Sequence, residues 1–231
     1  MEFAINDVGK RIHASSADKN EEYFCPICNQ KVILRKGVTN VEHFAHATQC
    51  TDNWHYDMSE WHSQWQAQFP LGNREVVVEH LEEKHRADVM ACGYVIEFQH
   101  SPITAEEFEE RNNFYRSYGK KVVWIFDFVD ECDSKRMDWY EEWDKGNDKG
   151  AKWAWKYPKR FLQNYIPQYD KDIIVFFQLS YADHTEKDTA YLERVVWAID
   201  EDGVSNFKRF LTSCDPANAS ELLEWIKDRK L

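Results

Sequence analysis

The sequence lacks any apolar run long enough to cross a lipid bilayer, which takes about 20 residues as a helix. The segment Met1 to Asp7 also lacks the basic start and the apolar region of a secretory signal peptide. Mean hydropathy is low, at −0.72. These absences predict a cytoplasmic protein that has no membrane partner. Internal repeats and low-complexity tracts are absent as well.

An excess of basic residues is also missing, because 29 Lys and Arg stand against 41 Asp and Glu, a formal net charge of −12. This balance excludes a broad basic surface that binds polyphosphates non-specifically, but it leaves room for DNA binding through a local strip. The best such strip runs from Lys152 to Phe161, where Lys and Arg alternate with Trp and Tyr. It can track a nucleic-acid backbone, but we favour the simpler interpretation of a solvated helix face with buried aromatic residues.

A metal site is predicted near the N-terminus. The turn Cys25-Pro-Ile-Cys28 directs two thiolates at one point, and His43 and His46 follow after 14 further residues. Zn²⁺ takes four nitrogen or sulfur ligands in a tetrahedron, so this spacing predicts structural Zn²⁺ in a small zinc-ribbon-like segment. Cys50 lies four residues beyond His46 and can replace either histidine as a ligand.

A β-hairpin is predicted in the middle of the chain. Strands at Arg86 to Ala91 and Tyr94 to His100 are joined by Cys92-Gly93, and a two-residue loop ending in Gly is typical of a hairpin. If the loop has these two residues, Ala91 lies opposite Tyr94. A slip of one residue would move every side chain to the other face, so the length of the loop determines which side chains share a face.

This register predicts that Asp88 faces Glu97 and that Arg86 faces Gln99, all on one face of the hairpin, while the other face is apolar and belongs in a core. Two carboxylates directly opposite each other, about 5 Å apart, repel. A divalent cation such as Mg²⁺ between them turns this repulsion into binding. The alternative is a solvated polar face on which two acids happen to pair.

The remaining pattern predicts an α/β (α+β) fold with a mixed sheet flanked by helices. Ser59 caps a helix that ends near Phe69, and a capping box at Thr104 opens a helix that ends at Gly119. The almost continuously apolar Lys121 to Phe128 predicts a strand buried on both faces in parallel pairing. Further predicted elements are strands at 74–80, 172–179 and 192–199 and a closing helix at 220–230.

We predict three parts along the chain. Residues 1–54 form the zinc-ribbon-like segment, residues 55–130 form the core with the hairpin, and residues 131–231 form a Trp-rich extension that packs on the core.

The order of motifs resembles the competence protein CoiA-like family over roughly residues 20 to 128. The resemblance rests on Cys25-Pro-Ile-Cys28, His43-Phe-Ala-His46, Ser59-Glu-Trp-His62, His85-Arg-Ala-Asp88, Ile96-Glu-Phe-Gln-His-Ser101 and Glu110-Arg111. It implies a zinc-binding N-terminal segment followed by a nuclease domain of the PD-(D/E)xK superfamily, which has a restriction-endonuclease-like mixed sheet flanked by helices.

The resemblance also implies roles for individual residues. Asp88 matches the first acid of the family motif, Glu97 the second acid, and Gln99 the position usually held by Lys. Glu60 matches an additional acid on the preceding helix. Gln99 can orient an attacking water but cannot supply the positive charge of Lys, and Arg86, predicted opposite it, is a hypothetical replacement for that charge.

The expected function is that of a Mg²⁺-dependent or Mn²⁺-dependent deoxyribonuclease acting on DNA. Asp88, Glu97 and the backbone carbonyl of Phe98 are expected to hold the catalytic metal, Glu60 to complete its ligands, and Gln99 to orient the water. The alternative is a catalytically silent DNA-processing or protein-interaction module that keeps the nuclease fold. Gln99 and the net charge of −12 motivate this alternative.

Overall fold

The computed structural model describes residues 1–37, 42–47, 50–51, 54, 59–145, 148–167, 169–179, 191–199, 205–213, 221–222 and 224. The helices are α1 (Glu60–Ala67), α2 (Ala105–Ser117) and α3 (Val129–Asp133). The strands are β1 (Phe3–Asn6), β2 (Arg11–His13), β3 (Tyr23–Phe24), β4 (Lys31–Arg35), β5 (His43–His46), β6 (Arg74–His80), β7 (Glu83–Ala91), β8 (Tyr94–Gln99), β9 (Lys121–Asp127), β10 (Met137–Lys145), β11 (Asp148–Trp155), β12 (Ile173–Leu179), β13 (Tyr191–Ile199) and β14 (Ser205–Ser213).

The N-terminal segment forms a five-stranded sheet of order β2-β1-β3-β4-β5, with antiparallel pairing throughout. Its core is small and is built on buried Tyr23 and Phe44, with Cys25, Cys28 and Cys50 packed into it. A core of this size gives a short segment little stability, so cross-linking by a metal would add to it.

The second sheet has nine strands in the order β10-β11-β14-β13-β12-β9-β8-β7-β6. Its centre, β8-β9-β12, is parallel, and the flanking pairs are antiparallel. The predicted fold class, a mixed sheet flanked by helices, is confirmed. Strands β10 to β14 extend this same sheet, so the region after residue 130 shares the sheet of the hairpin. The boundaries of the three predicted parts stay a prediction.

The predicted hairpin and its register are present. Ala91 pairs with Tyr94 and Val89 with Ile96. Cys92 and Gly93 both have positive φ, 51° and 88°, which is the backbone of a two-residue type I′ turn. This turn matches the twist of the flanking strands, so it fixes the register that places Asp88 next to Glu97.

Both faces of β8 are covered, and all six of its residues are buried. Ile96 and Phe98 pack with Trp65 of α1 on one face, whereas Val95 belongs to the core that α2 covers on the other. Glu97 is 1 % exposed and Gln99 is 3 % exposed. The interpretation of these residues as a solvated polar face is therefore wrong, because a second helical layer lies over them.

The two helices beside the hairpin are fixed by polar contacts from their caps and side chains. The Ser59 hydroxyl accepts from the His62 N–H, and the Thr104 hydroxyl accepts from the Glu107 N–H, both at 3.1 Å. The indole N–H groups of Trp61 and Trp65 donate to Gln178 Oε1 of β12 at 2.8 and 2.7 Å. The two indole contacts fix α1 against β12. The predicted caps at Ser59 and Thr104 are both present.

The basic-aromatic strip differs from its prediction. Lys152 to Trp155 lie in β11, which pairs with β10 and β14, rather than in a helix. Trp153 and Trp155 are buried, at 8 % and 2 % exposure. The burial of the aromatic residues was predicted and is present, but the period is two, as in a strand. These residues form a strand rather than a helix because the backbone of β11 pairs with both β10 and β14.

Strands predicted at 172–179 and 192–199 are confirmed as β12 and β13. The closing helix predicted at 220–230 lies largely outside the described residues. Among the described residues, no helix combines the length and the apolar character needed to span a membrane.

A buried carboxylate joins the two sheets. Glu75 of β6 is 2 % exposed, and its two oxygens accept from the N–H groups of Glu2 and Phe3 at 2.9 and 3.1 Å. Burial alone raises the pKa of Glu75, but the charges of Arg86 and the Met1 amino group, together with the two N–H donors, hold it below its ordinary value. Glu75 is therefore an ionised link between β6 and β1.

We predict that Glu75→Ala lowers the free energy of unfolding by about 2–4 kcal/mol, since it leaves two buried N–H groups and a nearby cation without their acceptor. Urea denaturation followed by tryptophan fluorescence measures this change. The control is Glu79→Ala on the same strand, where an exposed ion pair with Lys84 is expected to contribute less than about 1 kcal/mol. Equal losses in both variants would contradict a special role for Glu75.

Candidate functional site

The ladder of β7 is interrupted at Asp88. Pairing with β8 stops at Val89 and Ile96. Continuing the register would place Phe98 opposite Ala87, but the Phe98 N–H is donated to Asp88 Oδ2 at 2.9 Å. The Asp88 carboxylate therefore takes the place of a main-chain acceptor and lies against the backbone of β8.

Helix α1 supplies an imidazole and an amide to Asp88. His62 Nε2 lies 3.1 Å from Asp88 Oδ1, and Gln66 Nε2 donates to the same oxygen at 3.4 Å and to the Asp88 carbonyl at 3.2 Å. Residues 62 and 66 share one side of the helix because they are one turn apart. Burial alone lowers the pKa of His62, but the Asp88 charge outweighs it, so the pKa is raised. The pKa of Asp88 is correspondingly lowered against the effect of its burial.

Helix α2 supplies a guanidinium to Glu97. Arg111 Nη1 donates to Glu97 Oε2 at 2.9 Å, and Arg111 Nη2 donates to Glu107 Oε1 and to the carbonyl of Trp54. Burial and the negative charge of Asp88 raise the pKa of Glu97 to about 8, although Arg111 opposes this shift. The two acids therefore lie close enough to influence each other's protonation, as the predicted register requires.

One carboxylate oxygen of Glu97, Oε1, lacks a well-formed hydrogen bond to the described residues. Oε1 is buried and accepts no hydrogen bond of good geometry from the described residues, although the Tyr115 hydroxyl is close enough to act on the Glu97 pKa. A buried carboxylate oxygen near the Tyr115 hydroxyl but without a hydrogen bond of good geometry leaves room for a further partner such as an ion. Beside a second carboxylate, it fits a hard divalent cation, which prefers oxygen ligands. The residues present therefore fit the predicted metal.

Gln99 lies at the end of β8, two residues beyond Glu97 on the same face. Its side-chain amide donates to the Ser101 carbonyl at 2.6 Å. It also lines a cavity of about 600 Å³ at the carboxyl ends of β8 and β9, with a lining that includes His100, Asp127, Lys159 and Arg160. Ligands of open α/β sheets commonly bind at this edge. The cavity therefore gives a substrate a place beside Gln99.

The structure does not bring Glu60 to the pair of acids. Glu60 is exposed at the start of α1, and its Oε1 accepts from Gln64. It precedes His62 by two residues, or about 200° around the helix, and so points away from the side that meets Asp88. The roles of Glu60 and of the Phe98 carbonyl as metal ligands stay predictions.

For three residues of this site, the sequence did not predict the contacts that the structure shows. Gln66 has no role in the sequence-based prediction, His62 is predicted to be structural with proton transfer as the alternative, and Arg111 is predicted to touch a phosphate rather than Glu97. The i, i+4 spacing of His62 and Gln66 on α1 was the available signal. The contact between Arg111 and Glu97 crosses from a helix to a strand, so no short-range pattern indicates it.

Arg86, the hypothetical replacement for a Lys charge, pairs through its backbone with Val77 of β6. Its positive charge lowers the pKa of Glu75 and of the partly buried His46. Its charge therefore acts at the junction of the two sheets.

The predicted metal cluster forms with one change of ligand. Ligand atoms of Cys25, Cys28, His46 and Cys50 all lie within 4.8 Å of one another. His43 is not part of this cluster, so the set with both histidines is corrected to the alternative in which Cys50 replaces His43. The reason is that β5 carries both histidines at an odd spacing, which places them on opposite faces of the strand. Three thiolates and one imidazole fit tetrahedral Zn²⁺.

Two family models match the chain. Residues 8–52 match the competence protein CoiA N-terminal domain, and residues 56–208 match the competence protein CoiA nuclease-like domain. No curated protein and no solved structure matches at a significant level. The second match includes Asp88, Glu97 and Gln99 and extends through β13, well beyond residue 128, where the resemblance in the sequence ended. The chain therefore belongs to the competence protein CoiA family.

Proposed function

We propose that this chain is a metal-dependent DNA nuclease in which Asp88 and Glu97 hold Mg²⁺ or Mn²⁺. The observation that carries this proposal is the pair of carboxylates at the interrupted ladder, the partly buried Asp88 and the buried Glu97, with Glu97 Oε1 left without a donor of good geometry among the described residues. The match to a nuclease-like domain over the same residues supports it.

The chain's own residues orient the ligands. The Phe98 N–H and the two α1 side chains hold Asp88, and Arg111 holds Glu97. When bound, Mg²⁺ supplies charge stabilisation at a phosphate and lowers the pKa of a bound water. Gln99 lines the adjacent cavity and orients the attacking water through its amide, without adding charge.

DNA is proposed as the substrate because the matched domain is nuclease-like. The cavity beside Gln99 has three basic residues, but Arg136 and Lys159 pair with Glu131 at 2.8 Å. Its lining also includes four acids, so the positive charge of the third basic residue, Arg160, is offset: Glu106, Asp127, Asp130 and Glu131. Little net positive charge is therefore offered there, and the metal itself would have to attract the phosphate.

Zn²⁺ is proposed as a structural ion in the Cys25, Cys28, His46 and Cys50 cluster. Three thiolates with one imidazole form a closed tetrahedral set of the kind that structural sites use. A cytoplasmic location agrees with this assignment, since reducing conditions keep such thiols free of disulfides.

A catalytically silent DNA-processing module is the second candidate. It is favoured by the fact that each acid already has a protein cation, His62 for Asp88 and Arg111 for Glu97. In such a module these pairs would only stabilise the fold, and no divalent cation would bind between them.

We predict that the purified protein holds one Zn²⁺ per chain and that Cys50→Ala loses it, whereas His43→Ala keeps it. Elemental analysis by inductively coupled plasma mass spectrometry measures the metal content. The pair is matched because both residues flank His46, but only Cys50 lies in the cluster. Loss of Zn²⁺ in His43→Ala together with retention in Cys50→Ala would overturn the assigned ligand set.

We further predict that the protein cleaves DNA in Mg²⁺ or Mn²⁺ but not in EDTA, tested on linear, circular and single-stranded DNA. Asp88→Asn and Glu97→Gln should each reduce the rate by about a hundredfold or more, since a lost ligand removes several kcal/mol of stabilisation. Glu79→Gln, an exposed acid on neighbouring β6, is the matched control and should retain the wild-type rate.

The zinc content and the thermal midpoint of each variant show whether it is folded. An absence of cleavage under every condition by folded, zinc-loaded wild-type protein would favour the silent module. Wild-type rates in Asp88→Asn or Glu97→Gln would place the nuclease site elsewhere.

A further inference from the structure

We propose that Arg111 is a positioning residue that fixes Glu97 by one oxygen, so that the other oxygen is presented beside Asp88 to a divalent cation. This inference rests on the proposed function, because it explains how one ligand of that site is oriented. It assigns Arg111 no contact with the substrate.

The first support is the geometry of the guanidinium. Nη1 donates to Glu97 Oε2 at 2.9 Å, whereas Nη2 donates to Glu107 Oε1 and, at 2.9 Å, to the Trp54 carbonyl. The planar group thus spans acceptors from a strand, a helix turn and the segment before α1. A guanidinium can do this because its donors form a rigid fork.

The second support is the burial of Arg111. It is 2 % exposed, and its guanidinium lies over the rings of Trp54 and Trp124 at 5.4 and 5.9 Å. An arginine enclosed in this way cannot extend to a phosphate in solvent. Its charge must therefore act through the carboxylates that it touches, Glu97 and Glu107.

The third support is the asymmetry of Glu97. Oε2 is held by Arg111, while Oε1 is buried without a donor of good geometry among the described residues. Asp88 is held at both oxygens, since its Oδ2 accepts the Phe98 N–H and its Oδ1 lies against His62 and Gln66. These contacts limit rotation of the two carboxylates, and such supporting contacts tune metal affinity.

Helix α2, which carries Arg111, is itself held in place against the sheet. The next residue, Asn112, accepts the indole N–H of Trp124 at 2.8 Å through its side chain, and Trp124 is fully buried in β9. Glu107, one turn earlier, holds Nη2 from the same helix. The guanidinium is therefore positioned by the helix and not by Glu97 alone.

The test is Mn²⁺ binding to the full-length, zinc-loaded protein, followed by the electron paramagnetic resonance signal of free Mn²⁺. Arg111→Gln should weaken the affinity by about tenfold to a hundredfold, the range typical for groups that support a ligand. Arg111→Lys keeps the charge but not the fork, so it should recover part of this loss without reaching the wild type.

Arg116→Gln is the matched control. Arg116 lies on the same helix, is 41 % exposed and pairs with Asp170, so its variant should bind Mn²⁺ like the wild type. Zinc content and thermal midpoint identify variants that remain folded. If Arg111→Gln does not fold, Arg111→Lys decides, because it retains a cation beside Glu97.

Wild-type affinity in a folded Arg111→Gln or Arg111→Lys would overturn the positioning role while leaving the metal site in place. An absence of Mn²⁺ binding in the wild type would instead overturn the proposed nuclease itself, and the inference with it. The two failures are therefore distinguishable in one experiment.

Discussion

The structure depends on two carboxylates on the neighbouring strands β7 and β8 of the mixed sheet, Glu97 fully buried and Asp88 with 13 % of its side chain exposed. Burying a charge is costly unless a counter-charge accompanies it. Here each acid receives its own cation from a different helix, His62 of α1 for Asp88 and Arg111 of α2 for Glu97. The helices on the two faces of the sheet therefore do more than cover apolar residues, since their positions decide whether the acids are ionised and where their oxygens point.

The N-terminal segment is tied to this arrangement through β6 and α2. Glu75 of β6 accepts the N–H groups of Glu2 and Phe3 at the start of β1, and β6 is the direct neighbour of the strand that carries Asp88. The Trp54 ring stacks on His85 of β7 at 3.4 Å, and its carbonyl accepts from Arg111. The segment that carries the Cys and His cluster thus contacts β6, β7 and α2, the elements around the two acids.

The hairpin register could be predicted because it depends on local chemistry. Cys92-Gly93 adopts the positive φ of a tight turn, which fixes the pairing as far as Val89 and Ile96, and Asp88 and Glu97 are the next residues on the two strands. The predicted caps at Ser59 and Thr104 are equally local, and both are present. Each of these features is decided within a few residues of sequence, which is why the sequence was sufficient for them.

The remaining features depend on contacts between distant segments. Cys50 replaces His43 because the pairing of β5 turns His43 to the other face, and spacing alone left both histidines open. The segment around Trp153 forms a strand because β10 and β14 lie on either side of it. Arg111 meets Glu97 only after α2 packs on the sheet. In each case a contact between segments far apart in the sequence determined the structure, and the local sequence pattern alone could not.

The central claim is that a divalent cation binds between Asp88 and Glu97. X-ray diffraction from crystals of the zinc-loaded protein grown with Mn²⁺ tests it most directly, with anomalous data collected on both sides of the manganese edge. We expect a manganese peak in contact with Asp88 and with Glu97 Oε1, separate from a zinc peak at Cys25, Cys28, His46 and Cys50. A zinc peak alone, with His62 and Arg111 as the only cations beside the two acids, would contradict it.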